Sequence, residues 1–343
     1  MIQLLLKRVR LCCLGIAGFL SACASIADLP SLENTQQAYD QHISQFAIAN
    51  PHKRHVLNRP DGHKLAAREF GSQHKDNGTT YILMHGFPDN QHLYDSLIPL
   101  LARTAHVISF DFLGWGESDK PAAHNYKVTT QRTDLDTVIS ALKITSAVIV
   151  THDLSGQVGI DWALDNPTQV NELVLLNSYY NAMPTLIAPD AIEFYSKPGV
   201  LRDLARFGAN KSAARFKSGL ANQLYAFMSN PAARLQFIPI LAHSAPDIRP
   251  AFFSAVDALW GEIDARANQN DRMKAFIKPV RIIFGRDDPF LNAGVAESFA
   301  KTFSNRCIQL ISGANHYVQL DQATLVAQSM LSKHAGAGAC KPN

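Results

Sequence analysis

Val148-Ile149-Val150-Thr151-His152-Asp153-Leu154-Ser155-Gly156 is the stretch on which the reading of this chain turns. An apolar run of strand type stops at an acid, and a helix-forming segment follows at once. Thr151 and Ser155, both small, stand two residues before and after Asp153. This is the pattern of a strained strand-to-helix elbow that pushes one side chain up into a pocket. Small flanks are needed because the two backbones nearly touch there. Ser155 is the competing tip, but its flanks are Asp153 and Gln157, which are larger. An Asp at a helix start also serves as a plain N-cap. The reading of Asp153 therefore depends on the rest of the chain.

Working outward, strand-like runs cover His55–Leu57, Leu65–Phe70, Thr80–Met84, His106–Phe110, Ala147–Thr151, Leu173–Leu176, Val280–Phe284 and Cys307–Ile311. Apolar spacing predicts helices over His92–Ala105, Gln131–Leu142, Gly156–Leu164 and Gln322–Lys333. Strand alternating with helix predicts an α/β protein with a mostly parallel, doubly wound sheet. The alternation breaks from about Tyr179 to Lys274, a stretch rich in Ala, Phe and Leu. It is too long for a structureless loop, so an inserted helical lid is expected. Its Arg202, Arg206, Lys211, Arg215 and Lys217 read either as an attraction for anionic substrates or as a solvated helix face.

Four further signals stand at strand ends. His85-Gly86-Phe87-Pro88 follows Thr80–Met84, where a loop can offer the N–H of Phe87 to an oxyanion. Leu154, just after Asp153, would offer the second N–H. The turn Asp111-Phe112-Leu113-Gly114-Trp115-Gly116-Glu117-Ser118-Asp119-Lys120-Pro121 follows His106–Phe110 and reads as structural, its glycines matching no phosphate-binding pattern. Gly285-Arg286-Asp287-Asp288-Pro289 places a carboxylate where it can orient a histidine. Asp288 is preferred and Asp287 is the alternative. Gly313-Ala314-Asn315-His316-Tyr317 puts His316 in the turn before the final helix. The chain order is tip residue, acid, histidine.

With these residues in place, the chain from about 55 to 335 resembles the α/β-hydrolase superfamily. Asp153, the His-Gly-Phe-Pro loop and the Ser118-Asp119-Lys120-Pro121 turn resemble epoxide hydrolases and haloalkane dehalogenases. The resemblance implies an Asp153–His316–Asp288 triad, an oxyanion hole from Phe87 and Leu154, and a covalent alkyl ester hydrolysed by water. His152 is then a structural member of the elbow. An epoxide needs a proton donor from the lid, for which Tyr179, Tyr180, Tyr195 and Tyr225 are present. A halide needs N–H donors, yet Leu154 and Phe87 stand where dehalogenases carry Trp and Asn. Tyr179, Tyr180 and Trp260 are the candidate substrate-binding residues. Epoxide hydrolysis leads and haloalkane dehalogenation is second. A serine esterase using Ser155, or an inactive binding protein, completes the set. The substrate is expected to be small, apolar and electrophilic, with water as co-substrate and no cofactor.

The N-terminus carries Lys7, Arg8 and Arg10, then the short apolar run Leu11–Leu20, then Leu20-Ser21-Ala22-Cys23. This resembles a bacterial lipoprotein signal, implying cleavage before Cys23, its lipidation and an anchor facing the periplasm from the outer membrane. The alternative is cleavage after Ala24 and a soluble exported protein. The net charge of +3 comes from that basic segment and falls to zero without it, so nothing suggests a nucleic-acid partner. Cys307 and Cys340 then remain as a pair able to form a disulfide in an oxidising compartment. His52-x-x-His55 is too sparse for a zinc site, and no metal is expected. The expected organisation is a signal peptide (1–22), a tether and lead-in (23–51), a first core part (52–178), a lid (179–274), a second core part (275–335) and a tail (336–343).

Overall fold

The computed structural model describes residues 32–76, 78–334, 336 and 338–340. The signal segment 1–22 and Cys23 lie outside the described residues. The strands are β1 (Lys53–Asn58), β2 (Lys64–Phe70), β3 (Thr80–Met84), β4 (His106–Phe110), β5 (Ala147–Asp153), β6 (Val170–Ser178), β7 (Val280–Gly285), β8 (Arg306–Ile311) and β9 (Gly338–Ala339). They form one sheet in the order β1-β2-β4-β3-β5-β6-β7-β8-β9. Only the β1/β2 and β2/β4 pairs are antiparallel. From β4 to β9 every neighbour is parallel. Strands β3, β4 and β7 are buried along their whole length. That is why they read as continuous apolar runs rather than alternating ones: both sheet faces are covered.

The helices are α1 (Thr35–Ala49), α2 (Val128–Ala141), α3 (Ser155–Asp165), α4 (Asp190–Ser196), α5 (Val200–Lys211), α6 (Ala213–Ala226), α7 (Pro231–Leu241), α8 (Arg249–Asp264), α9 (Asn270–Ala275), α10 (Ala293–Thr302) and α11 (Ala323–Leu331). Helices α4 to α9 form an insertion between β6 and β7. All the parallel strands in the centre run the same way, so the loops after β3, β5, β7 and β8 gather at one edge of the sheet.

Two expectations are corrected. The helix over His92–Ala105 is a 3₁₀ turn at Gln91–Tyr94 and one helical turn at Ile98–Leu101. Pro99 lacks the N–H that a continuous helix requires. The apolar spacing was real, since Leu93, Tyr94, Leu97, Ile98 and Leu101 are all buried. The lead-in before Pro51, helix-like in sequence, forms α1 over Thr35–Ala49. Helix α1 packs on the body: His42 Nε2 lies 2.7 Å from the Asp95 carboxylate, and Tyr39 stacks on His243 at 4.3 Å. Arg202 and Arg206 do not form a solvated face, because both turn inward onto Asp257 of α8.

Cys307 of β8 and Cys340 are joined by a disulfide that pins the two-residue β9 to the sheet edge. The bond closes a loop of sequence separation 33. Such a closure removes roughly 3–4 kcal/mol of unfolded-state entropy. Cys340→Ser should lower the thermal midpoint by several degrees, read by calorimetry of the oxidised protein. An unchanged midpoint would place the tail outside the cooperative unit.

Candidate active site

The elbow is built as a strained turn. Asp153 has φ +51°, the left-handed region that non-glycine residues avoid. The strain is held by packing on all sides. Ser155 Oγ accepts from the N–H of His152 at 2.8 Å and is within hydrogen-bond reach of Met84 O at 3.0 Å. Thr151 Oγ1 meets Ser178 Oγ at 2.8 Å. Ser155 is fully buried beneath the turn and does not line the cavity, so it is not placed to attack a substrate.

The loop after β3 closes over the tip of the elbow. The N–H of Phe87 donates to Asp153 Oδ2 at 3.0 Å, and the N–H of Leu154 supports the same carboxylate. A side chain at Gly86 would meet Asp153 Cβ and His152 Nδ1, each at 2.7 Å. The glycine lets this loop approach closely enough for its N–H to reach the acid. Burial pushes the Asp153 carboxyl up from its ordinary value, while His316 and the two N–H groups pull it down.

His316 Nδ1 lies 2.9 Å from Asp288 Oδ2. Asp288 is itself held on both oxygens: Oδ1 accepts from the N–H groups of Phe290 and Leu291, and Oδ2 accepts from Asn177 Nδ2 at 2.8 Å. Burial raises the Asp288 carboxyl, but His316 and these hydrogen bonds outweigh it and hold it below its ordinary value. Burial opposes charging of His316. The charges of Asp288 and Asp153 overcome it and lift the imidazole to about 9. Asp287, the alternative, instead accepts from the N–H of Gly313 at 3.0 Å and holds the turn leading to His316.

Two supporting residues were not picked out from sequence. Asn177 sits at φ +35° near the end of β6, and its Oδ1 accepts from Gly285 N at 2.8 Å. Its signal is a lone amide closing an apolar strand. Asp321 accepts from Asn315 N at 2.8 Å and from Ser229 N and Asn230 N of the insertion. His152 is fully buried, its Nε2 3.0 Å from the carbonyl oxygen of His316. Asp89, buried and pushed up to about 7 by desolvation, accepts from Tyr317 Oη at 2.9 Å.

Asp153, His316, Phe87, Leu154, Tyr179 and Trp260 line one cavity, with Leu186, Ile192, Phe227, Val256, Leu259 and Phe290 making it predominantly apolar. Tyr179 presents its hydroxyl with no hydrogen-bond partner among the described residues, and burial keeps the phenol protonated. Tyr180 is corrected: its hydroxyl donates to Asp161 at 2.6 Å and it does not line the cavity. Tyr195 packs against Phe253 and Tyr225 lies under Arg234, neither lining the cavity. Trp260 does line it, but its indole N–H is taken by Ser196 Oγ at 2.8 Å.

Two groups bring three metal-type donors within 4.8 Å of one another, His42/His92/Asp95 and Asp61/His63/His124. In each an arginine already holds the carboxylate, Arg68 on Asp95 and Arg59 on Asp61. A cation would have to displace a guanidinium, so neither group fits one well. His52 and His55 bond separately, to Asn50 O and to Glu69.

Residues 81–323 match the alpha/beta hydrolase fold family. Among curated proteins, the chain is 23% identical to 2-hydroxymuconate semialdehyde hydrolase of a Pseudomonas species over 79% of this chain and 93% of that one. A bacterial membrane phospholipase A superposes with a TM-score of 0.67 at 17% identity, covering 96% of this chain and 97% of that one. Haloalkane dehalogenase of Bradyrhizobium elkani superposes with a TM-score of 0.67 at 20% identity, covering 81% of this chain and 96% of that one. At these identities the two structures share the fold, and the chemistry has to be argued from the residues.

Gly86→Ala should lower turnover at least ~10-fold by pushing the N–H of Phe87 off Asp153, a loss typical of a weakened oxyanion donor. Far-UV circular dichroism should stay unchanged. Wild-type kcat in the variant would show that this N–H is not used.

Proposed function

We propose that this chain, which belongs to the alpha/beta hydrolase fold family, is a hydrolase that opens small apolar epoxides through an ester on Asp153. The observation that carries this reading is the inventory of donors in the cavity. The Tyr179 hydroxyl is unspent, whereas the Trp260 N–H is already bonded to Ser196. An alkoxide leaving group would find a proton there. A halide would find no free indole and, among side-chain N–H donors of the cavity, only the Gln223 amide, while the two backbone N–H groups face the carboxylate. On this reading haloalkane dehalogenation comes second.

The first step follows from which oxygen is free. Phe87 N–H holds Asp153 Oδ2, so Oδ1 attacks the ring carbon. The carbon–oxygen bond of the ring breaks, and the oxygen takes the proton of Tyr179. In the second step His316 takes a proton from water as the water attacks the ester carbonyl. The N–H groups of Phe87 and Leu154 hold the oxyanion that develops. Collapse releases a diol, and Tyr179 recovers its proton. Asp288 keeps the imidazole oriented and stabilises its charge.

The charges also order the two steps. In the free enzyme His316 is lifted to about 9, partly by the Asp153 charge. Esterification removes that charge, so the histidine becomes easier to deprotonate just when a base is needed. The hydrolytic step should therefore rise with pH and level off below pH 9. The alkylation step should fail in acid as Asp153 protonates, at a pH above the ordinary carboxylate range because burial raises that group. Rapid-quench kinetics from pH 4 to 10 separate the two limbs. A hydrolytic limb centred at or above pH 9 would contradict the coupling.

The same proposal treats 179–274 as a lid. It has the mature protein begin at Cys23, lipidated and held on the periplasmic face of the outer membrane.

Intact-mass spectrometry of His316→Ala protein exposed to terminal and aryl epoxides tests the chemistry. A gain of the whole epoxide mass on Asp153 is expected. An alkyl adduct from a haloalkane, lacking halogen, would favour dehalogenation instead. Asp153→Ala should lose roughly 10⁴-fold or more in turnover; full activity would overturn the mechanism.

A further inference from the structure

We propose that α5 is a membrane-docking helix, whose outward apolar face rests in the surface of an anionic bilayer beside the mouth of the cavity. The polarity of α5 is inverted relative to a helix packed on a core. Val200, Leu201, Leu204 and Phe207 form one stripe and are 76%, 66%, 62% and 63% exposed. Residues at this spacing share one face. The opposite face carries Arg202 and Arg206, which are turned into the protein. Arg202 Nη1 lies 3.1 Å and Arg206 Nη2 2.6 Å from Asp257 Oδ1, and the Arg206 guanidinium lies 4.8 Å over the Phe253 ring. These contacts fix the rotation of the helix, so the stripe cannot turn inward without unpairing Asp257.

An apolar stripe held outward marks an interaction surface, and three observations point to lipid as its occupant. The first is charge. Over residues 187–217, Lys197, Arg202 and Arg206 are matched by Glu193, Asp203 and Asp257, which leaves Lys211, Arg215 and Lys217 against Asp190. Lys197, Lys211 and Arg215 of this stretch are exposed. Lys211 lies at the end of the stripe with its Nζ 5.4 Å over Phe207. Apolar residues bordered by cations suit the acyl and headgroup layers of an anionic bilayer. The second is the route of the chain. Thr35, the first residue of α1, accepts from Lys217 Nζ of α6 at 2.8 Å. The first described helix therefore begins beside the helix that follows α5. Eleven residues lie between Cys23 and Thr35, a reach of at most about 40 Å. The third is the cavity. Asp257 lies one helical turn before Trp260, which lines the cavity and is 38% exposed, as does Ile187 at 54%. A bilayer against α5 would sit next to these mouth residues, and apolar substrate would enter from the lipid. The contact requires no assumption about the chemistry at Asp153.

The full-length chain with Phe207→Trp tests this by fluorescence. The probe is vesicles of phosphatidylethanolamine and phosphatidylglycerol, 3:1, with or without brominated acyl chains. The added emission, taken as the difference from the parent protein, should fall at least twofold on brominated vesicles. Adding Leu204→Glu should abolish that quenching. Both positions are mostly exposed, and Phe207→Trp keeps an aromatic ring beneath Lys211. Quenching that survives Leu204→Glu would overturn the proposal. So would an unquenched Trp on a chain that is bound to the vesicles, or a failure to bind them. Shielding of the Trp without lipid, rising with protein concentration alongside a doubled mass, would assign the stripe to a second copy of this chain.

Discussion

A carboxylate kept buried and usable is the constraint around which the rest of the molecule is arranged. An uncompensated charge at the depth of Asp153 would cost several kcal/mol. It is offset by two backbone N–H groups and by the charge of His316. Each of those partners brings a further requirement. The Phe87 N–H needs a close loop, hence Gly86. His316 needs Asp288, and Asp288 needs the N–H groups of Phe290 and Leu291 and the amide of Asn177. A side chain at Gly285 would strike Asn315 O at 2.1 Å, so even the approach of the histidine loop to β7 depends on a missing Cβ. The sheet contributes by bringing these strand ends to one edge, where each group can reach the next.

Much of this was legible because the decisive residues are local. Buried parallel strands announce themselves as unbroken apolar runs, and β3 and β4 coincide with theirs. Asp153, Asp288 and His316 stand directly after such runs. What sequence did not reveal depends on direction rather than position. Tyr179 and Tyr180 are adjacent where β6 ends, so one faces the cavity and the other faces Asp161 of α3. Nothing in their neighbours distinguishes them. Arginines 202 and 206 read as solvent-facing because charge prefers water, yet Asp257, more than fifty residues on, draws them inward. Asn177 was lost in an apolar strand for the same reason: its partners, Asp288 and Gly285, are over a hundred residues away.

The second layer behind the site is as polar as the first. Asp89, His152 and Tyr317 form a buried group directly beneath the elbow and the histidine loop. His152 Nδ1 lies 3.8 Å from Asp89 Oδ2, and neither atom has a hydrogen-bond partner among the described residues. Desolvation favours the neutral form of both groups. The histidine that faces the cavity is thus charged readily while the one behind it resists charging: burial opposes both, but His316 is hydrogen-bonded to Asp288 whereas His152 is further repelled by His316.

Asp321 gives the insertion a fixed edge. One carboxylate binds Ser229 and Asn230 of the insertion and Asn315 beside His316. Helix α1 clamps the same side through Thr35 and Tyr39. That edge joins the insertion to the turn carrying His316, while the exposed rim of the cavity lies at Trp260 and Ile187. A substitution that loosened this edge would therefore reach the histidine turn as well as the insertion.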